Sequence, residues 1–180
     1  MTPNFPHDSI WPTNPPRVET YCNASMVSHP LVSPLFARSA SWEGAPPVYV
    51  CVGWDGMQDE AEVFARRVAE AGATVLFEGF VGMPHAFGMV PWSKSGFRAF
   101  DGWAGFCRAV VGGELQGSEG SACWVDKVGT VRRTALRDLG LKSDESVYMG
   151  RIPLDDKVVS EFRDRSKAWR VRDEAIMRFT

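Results

Sequence analysis

Between residues 47 and 111 the apolar positions change period three times. Residues 47–53, PVYVCVG, form a continuous apolar, β-branched and aromatic run. Such a run fits a strand covered on both faces, as in a parallel sheet, better than a half-exposed strand. In residues 57–71, MQDEAEVFARRVAEA, Ala61, Phe64, Ala65, Val68 and Ala71 recur at spacings of three and four, with charge on the other side. That predicts an amphipathic helix, stopped by Gly72. Residues 74–80, TVLFEGF, read as a second strand. Residues 95–111 read as a second helix with an apolar stripe of Phe97, Phe100, Ala104, Cys107 and Val111, ended by Gly112 and Gly113.

Strand, helix and strand within one short span make a βαβ unit, whose two strands run parallel. The fold class expected is therefore α/β, with parallel strands and flanking helices. Outside this core the pattern weakens. Nine of the twelve prolines fall in residues 1–47, and proline removes backbone donors and keeps its predecessor extended. Residues 1–28 are expected to be a Pro-rich loop segment. Residues 29–37, HPLVSPLFA, are too apolar for a free linker and are expected to lie against a surface. Residues 29–112 are read as the core, 113–122 as a Gly- and Ser-rich linker, and 123–180 as a helical tail. In the tail RTALRDLGL suggests a short helix and LDDKVVSEFRDRSKAWRVRDEAIMRF a longer one.

Composition changes this picture only at the margins. The chain has 180 residues, 44% apolar and 23% charged, which suits one ordinary globular domain. A net charge of −2 provides no field for nucleic acid or an anionic membrane. No apolar run approaches the roughly 20 residues that span a bilayer, and MTPNFPHDSIWPTNPP has no basic-then-apolar leader pattern. The expected location is cytoplasmic. Cys22, Cys51, Cys107 and Cys123 form no Cys-x-x-Cys pair and are read as thiols, and with three scattered histidines no metal site is expected.

Two residues then matter more than the totals. Asp55 stands just past the first strand and His85 about five residues past the second. Ligands of open α/β sheets bind outside the carboxyl ends of the strands, so the topology brings a carboxylate and an imidazole thirty residues apart to one edge. A carboxylate on one imidazole nitrogen fixes the tautomer and stabilises the imidazolium formed at the other, which is the acid–base half of nucleophilic catalysis. Each residue alone has a plainer role. Asp55 can cap the helix that follows, His85 can be an ordinary polar loop residue, and Asp59 and Glu60 suit a first helical turn. Only the pair in this topology points to catalysis.

Residues 46–87, from PPVYVCVGWDGMQDE to VGMPHAF, resemble the C-terminal part of the α/β-hydrolase fold-3 family, the hormone-sensitive-lipase-like esterases. The matching residues are Asp55 at the acid, Asp59 and Glu60 at the following Asp-Glu, and Gly82, Met83, Pro84, His85, Ala86 and Phe87 at the histidine loop. HPLVSPLFA and GWAGFCRAVV are also similar, especially to fungal members. Gly56 and Met57 depart from the commoner Pro-Leu. The resemblance implies an esterase or lipase-like hydrolase of small hydrophobic carboxylic esters, needing no cofactor. It assigns His85 as general base and Asp55 as its orienting acid. It implies that Leu31, Val32, Met89 and Trp92 help to line the substrate pocket.

The family's nucleophile is not found. The serine belongs in a Gly-x-Ser-x-Gly elbow that precedes the acid and the histidine. Ser118 has Gly120 after it but Gln116 before it, Ser121 is flanked by Glu119 and Cys123, and Ser95 by Ser93 and Phe97. All three follow His85. A His-Gly-Gly oxyanion segment is missing too. Cys51 and Cys107 are poor substitutes, because both sit inside regular elements rather than at a sharp turn. Three readings follow: part of a larger esterase, a remnant kept as a binding module, or a chain that meets another carrying the elbow. A two-stranded parallel sheet leaves an apolar edge open. Underburial at Val48, Val50, Val75 or Phe77 is therefore expected. For Trp92, Trp103 and Trp124 core packing is the plainer expectation, and contact with a partner the other.

Overall fold

The computed structural model describes residues 22, 26, 29–90, 92–115, 120–140, 160, 164 and 168. The chain divides into two compact units. Residues 39–153 hold the sheet. The other unit joins residues 1–38 to 154–180, and its described part includes a 3-10 turn at Pro34–Phe36. There Leu31 is 89% exposed whereas Ala37 is buried. Most of the Pro-rich segment and most of the long C-terminal helix expected from sequence lie outside the described residues; Ser160, Asp164 and Ala168 are helical.

In the sheet unit the four expected elements stand almost where the periods put them. They are β1 (Val48–Val52), α1 (Gln58–Glu70), β2 (Val75–Phe80) and α2 (Lys94–Val111). β1 pairs parallel with β2, Val50 opposite Phe77. Two more strands follow, β3 (Ser121–Val125) and β4 (Val131–Thr134). β3 pairs parallel with β2 and β4 antiparallel with β3, giving the order β1-β2-β3-β4. The sheet is thus mostly parallel with helices on both faces, as the α/β class requires.

β3 and β4 correct the expectation of a linker followed by a wholly helical tail. SACWV is only five residues long, and its alternation becomes visible once it has a partner. Ala122 packs with the α1 side and Val125 with the α2 side. The hairpin turn is built by Asp126, whose Oδ1 accepts from Val128 N–H at 2.9 Å and Thr130 N–H at 2.8 Å. Those amide donors, Thr130's foremost, hold its carboxyl below the usual carboxylate range. RTALRDLGL is not a regular helix either: it ends β4 and turns once as a 3-10 helix at Leu136–Asp138.

Side-chain alternation along β2 divides the core in two. Val75 and Phe77 face Ala65 and Val68 of α1, with Val52, Ala122 and Leu139 in the same cluster. Phe80 faces the other way, toward Ala99 of α2, Phe87 and Val125. Successive side chains of a strand alternate between faces, so α1 and α2 cover opposite faces. Yet both connections step the same way across the sheet, from β1 to β2 and from β2 to β3. The two crossovers therefore have opposite hands, and one departs from the right-handed rule. Residues 81–93, which follow β2 and contain His85, carry the chain round to the second face.

The expected open edge is present on one strand only. β2 is covered on both sides by neighbours, and Val75 and Phe77 are fully buried. Among the described residues β1 has a neighbour on one side alone. Val48 and Val50 are half-buried there, and Cys51 is exposed. The stripe expected to seat α2 also turns outward: Phe97 is 60%, Phe100 50% and Val111 89% exposed. Gly96 and Ala99 are its buried residues. Trp124 packs edge-on to Phe77, whereas Trp92 and Trp103 stand exposed, against the core packing expected of them. Among the described residues no helix is long and apolar enough to cross a membrane.

Phe77 carries the α1-side core, so Phe77→Ala is expected to cost about 3–5 kcal/mol, the range for a buried phenylalanine. The urea midpoint of unfolding checks it. A loss below about 1 kcal/mol would mean that this face of the sheet is not a close-packed core.

Candidate acid–base site

Asp55 and His85 meet at the carboxyl ends of β1 and β2. His85 Nδ1 lies 3.0 Å from Asp55 Oδ2, within hydrogen-bond distance. The carboxylate's other oxygen is also engaged: Asp55 Oδ1 accepts from Met57 N–H at 2.7 Å. Asp55 does not cap α1, whose N-cap position is Met57 with no side-chain cap bond; one of its oxygens closes the turn before the helix and the other holds the imidazole. Asp59 and Glu60 occupy the first turn of α1, where an acidic side chain suits the positive end of the helix.

The loop is fixed to β1 through backbone contacts. Trp54 N–H donates to the Met83 carbonyl at 2.7 Å. At Gly53 an added Cβ would stand 2.5 Å from the Met83 carbonyl oxygen and 2.8 Å from that of Pro84. Glycine is what allows this approach. On the far side Val81 N–H donates to the Val125 carbonyl at 2.9 Å. Gly82 turns the loop at φ +73°, with the Lys127 side chain lying over it. Below, Phe87 packs on Phe80 with ring centroids 4.8 Å apart. Ala86, next to His85, holds a left-handed φ of 55°. Non-glycine residues rarely adopt that conformation without a surrounding structure that enforces it.

The pair is asymmetric in exposure. The Asp55 side chain is 14% exposed and that of His85 74%. With Nδ1 turned to the carboxylate, Nε2 is the nitrogen left to exchange protons with something outside. Met89 and Trp92 are each 81% exposed. Leu31 and Val32 belong to the other unit.

A second polar cluster, which the sequence reading did not find, lies on the α2 face. Tyr49 donates to Glu78 Oε2 at 2.6 Å, and Arg98 approaches Oε1 at 3.5 Å. Cys123 Sγ stands 3.8 Å from the same oxygen. Gly102 is where α2 comes down on this cluster. Burial, then the Glu78 carboxylate, hold the Tyr49 proton far above the phenol range. Partial burial and then Glu78 also push the Cys51 thiol up to about 11, although a flank of that residue is open at the sheet edge. A thiol so protonated at neutral pH is a poor nucleophile, which adds a second argument against Cys51 as a hydrolytic cysteine.

Residues 5–89 match the family model of the alpha/beta hydrolase fold. That bears out the resemblance read from sequence and makes this part of the chain hydrolase-like in kind. No curated protein and no solved structure matches the chain.

Asp55→Asn is expected to keep the turn at Met57, because an asparagine side-chain oxygen accepts the same backbone bond, but to present its amide to Nδ1. Long-range nitrogen–proton NMR of the neutral imidazole should then find the proton on Nδ1 in the native chain and on Nε2 in the variant. A native Nε2 proton would break the pairing. For Cys51, iodoacetamide alkylation followed by peptide mapping should accelerate about tenfold per pH unit and level off only near pH 11. A plateau near about 8.5, the ordinary thiol value, would remove the influence of Glu78.

Proposed function

We propose that this chain is the C-terminal part of a serine hydrolase of carboxylic esters. It contributes the acid and the base, while the nucleophile and oxyanion donors come from a polypeptide segment outside it. The observation that carries the reading is the 3.0 Å Asp55–His85 pair at the carboxyl ends of parallel strands, within the residues that match the alpha/beta hydrolase fold. His85 Nε2 takes the proton of the serine hydroxyl as its oxygen bonds to the ester carbonyl carbon. The same nitrogen returns the proton to the departing alkoxide, and the cycle repeats with water. Asp55 keeps Nδ1 protonated and balances the imidazolium. No cofactor enters these steps. The substrate class is a small hydrophobic ester, and the location that goes with the reading is cytoplasmic.

The edge of β1 that no described strand covers supports the need for a complement. A buried-type strand with half-buried valines and one unpaired side is the edge at which a parallel sheet would continue. The second reading, a remnant without catalysis that serves as an interaction module, draws on the exposed Phe97, Phe100 and Trp103 of α2.

Fluorophosphonate labelling and p-nitrophenyl butyrate turnover separate these readings from a complete enzyme. The chain alone is expected to show neither, since an acid and a base without an activated nucleophile leave most of the barrier in place. Stoichiometric labelling of a serine in this chain would overturn the proposal. Expressed with a complementing segment that carries a Gly-x-Ser-x-Gly elbow, the chain should support turnover that His85→Ala reduces by about 10³-fold or more. Turnover insensitive to His85 would also overturn it.

A further inference from the structure

Gly53 differs from the other described glycines. It does not hold a positive φ, so its own conformation does not call for glycine. Yet an added Cβ would stand 2.5 Å from the Met83 carbonyl oxygen and 2.8 Å from that of Pro84. At the other described glycines, approaches closer than 3.0 Å fall on side chains, as at Gly79 and Gly102, or occur at a positive φ, as at Gly120. A side chain can swing away from an added methyl, whereas a backbone carbonyl moves only with its chain. What glycine supplies at position 53 is therefore room for another segment, and that segment is the one leading into His85.

The contacts between the two segments form a short ladder. Gly53 abuts Met83 and Pro84, Trp54 N–H donates to the Met83 carbonyl at 2.7 Å, and Asp55 Oδ2 meets His85 Nδ1 at 3.0 Å. The end of β1 and the histidine loop thus run side by side, and the acid–base pair is the last rung. Asp55 is not free to follow a loop that moves away, because Met57 N–H holds its Oδ1 at 2.7 Å. Beyond His85 the chain is tied again, with Phe87 buried among Phe80, Ala99 and Val125. A change of spacing at Gly53 is therefore passed on to the pair.

We propose that Gly53 is a positioning residue for His85: having no side chain, it sets the distance at which the histidine loop passes the acid. The inference rests on the hydrolase reading of the Asp55–His85 pair and deepens it with a residue that touches no reacting atom. To stand even 3.0 Å from the Met83 oxygen, an alanine Cβ would have to displace the loop by about 0.5 Å, and ordinary contact at 3.4 Å needs about 0.9 Å. A hydrogen bond of this kind weakens beyond roughly 3.2 Å, and the pair already stands at 3.0 Å. Catalytic groups have to be held to within roughly 0.5 Å of their productive geometry. One methyl group at position 53 is enough to exceed that tolerance.

Gly53→Ala tests this, with Gly102→Ala as a control whose methyl presses on Glu78 and Tyr49 instead. By long-range nitrogen–proton NMR of the neutral imidazole, the native chain and Gly102→Ala are expected to keep the proton on Nδ1. Gly53→Ala should lose that preference with unchanged far-UV circular dichroism. A folded Gly53→Ala that keeps the Nδ1 proton would overturn the proposal. Should that variant not fold, the native chain decides the matter in urea below its unfolding midpoint. There the protection of the Trp54 amide and the Nδ1 proton should be lost together; an imidazole that leaves the carboxylate while Trp54 stays protected overturns the proposal. In an assembly made active by a complementing segment, Gly53→Ala should lower kcat by roughly 10²-fold with little change in KM, as misplacement of a catalytic group does. An unchanged kcat would overturn it. A native chain with its proton on Nε2 would instead remove the acid–base reading itself, so the two fail distinguishably.

Discussion

Parallel pairing of β1 with β2 is the constraint from which the rest of the structure follows. In an antiparallel pair the two strand ends that carry Asp55 and His85 would lie at opposite rims of the sheet. In the parallel register, Val48 opposite Val75 through Val52 opposite Gly79, both chains leave the sheet at the same edge. Asp55 is the third residue past the end of β1 and His85 the fifth past the end of β2. Neither side chain has a long tether on which to wander. A parallel pair in turn needs a crossover, and α1 fills it, its start fixed by the same aspartate that holds the imidazole.

That double use of Asp55 has a consequence for how the site is built. A carboxylate that held only the imidazole would swing on its own χ angles. Anchored through Oδ1 to Met57 N–H, it presents Oδ2 in a direction fixed by the first turn of α1. The histidine side is fixed by different means: backbone contact at Gly53, the Val81–Val125 hydrogen bond, and the left-handed Ala86. Position on one side thus comes from a helix and on the other from a loop clamped between β1 and β3. The clamp includes β3, which lies beyond the residues matching the family, so a later part of the chain helps to position the histidine.

This division explains what could be read from the sequence. β1, α1, β2 and α2 were legible because each has a period of its own and because the valine- and phenylalanine-rich strands meet the helical stripe of α1 in one core. Asp55 and His85 were legible because strand ends in a parallel sheet converge. β3 was not legible: SACWV is short, and its strand character depends on the open side of β2 rather than on its own residues. The Glu78 cluster was hidden for a related reason, since Tyr49, Glu78 and Arg98 come from three elements with no common spacing. The outward turn of α2 was the subtlest miss. Its apolar positions cover most of its circumference, so periodicity alone did not tell which part faces the sheet; Gly96, Ala99 and Gly102, the small residues, do.

Small residues decide the matter because the Glu78–Tyr49 pair stands between α2 and the sheet. A helix can come close to a sheet that carries a polar cluster only where its own side chains are short, as Gly102 is above Glu78 and Tyr49. Its large aromatic residues are then left for the flank. On the other face burial dominates: α1 puts Val68 and Ala65 against Val75 and Phe77, with Glu62 adding a buried hydrogen bond from Gly140 N–H. The two faces of one sheet are thus held in different proportions, mainly by burial on the α1 side, and on the α2 side by the Phe80–Phe87–Ala99–Val125 cluster together with a hydrogen-bonded carboxylate. The second arrangement leaves Phe97, Phe100 and Trp103 of α2 exposed. A chain folded this way keeps its acid–base pair at the strand ends and its exposed aromatic residues on α2, and the two have separate physical requirements.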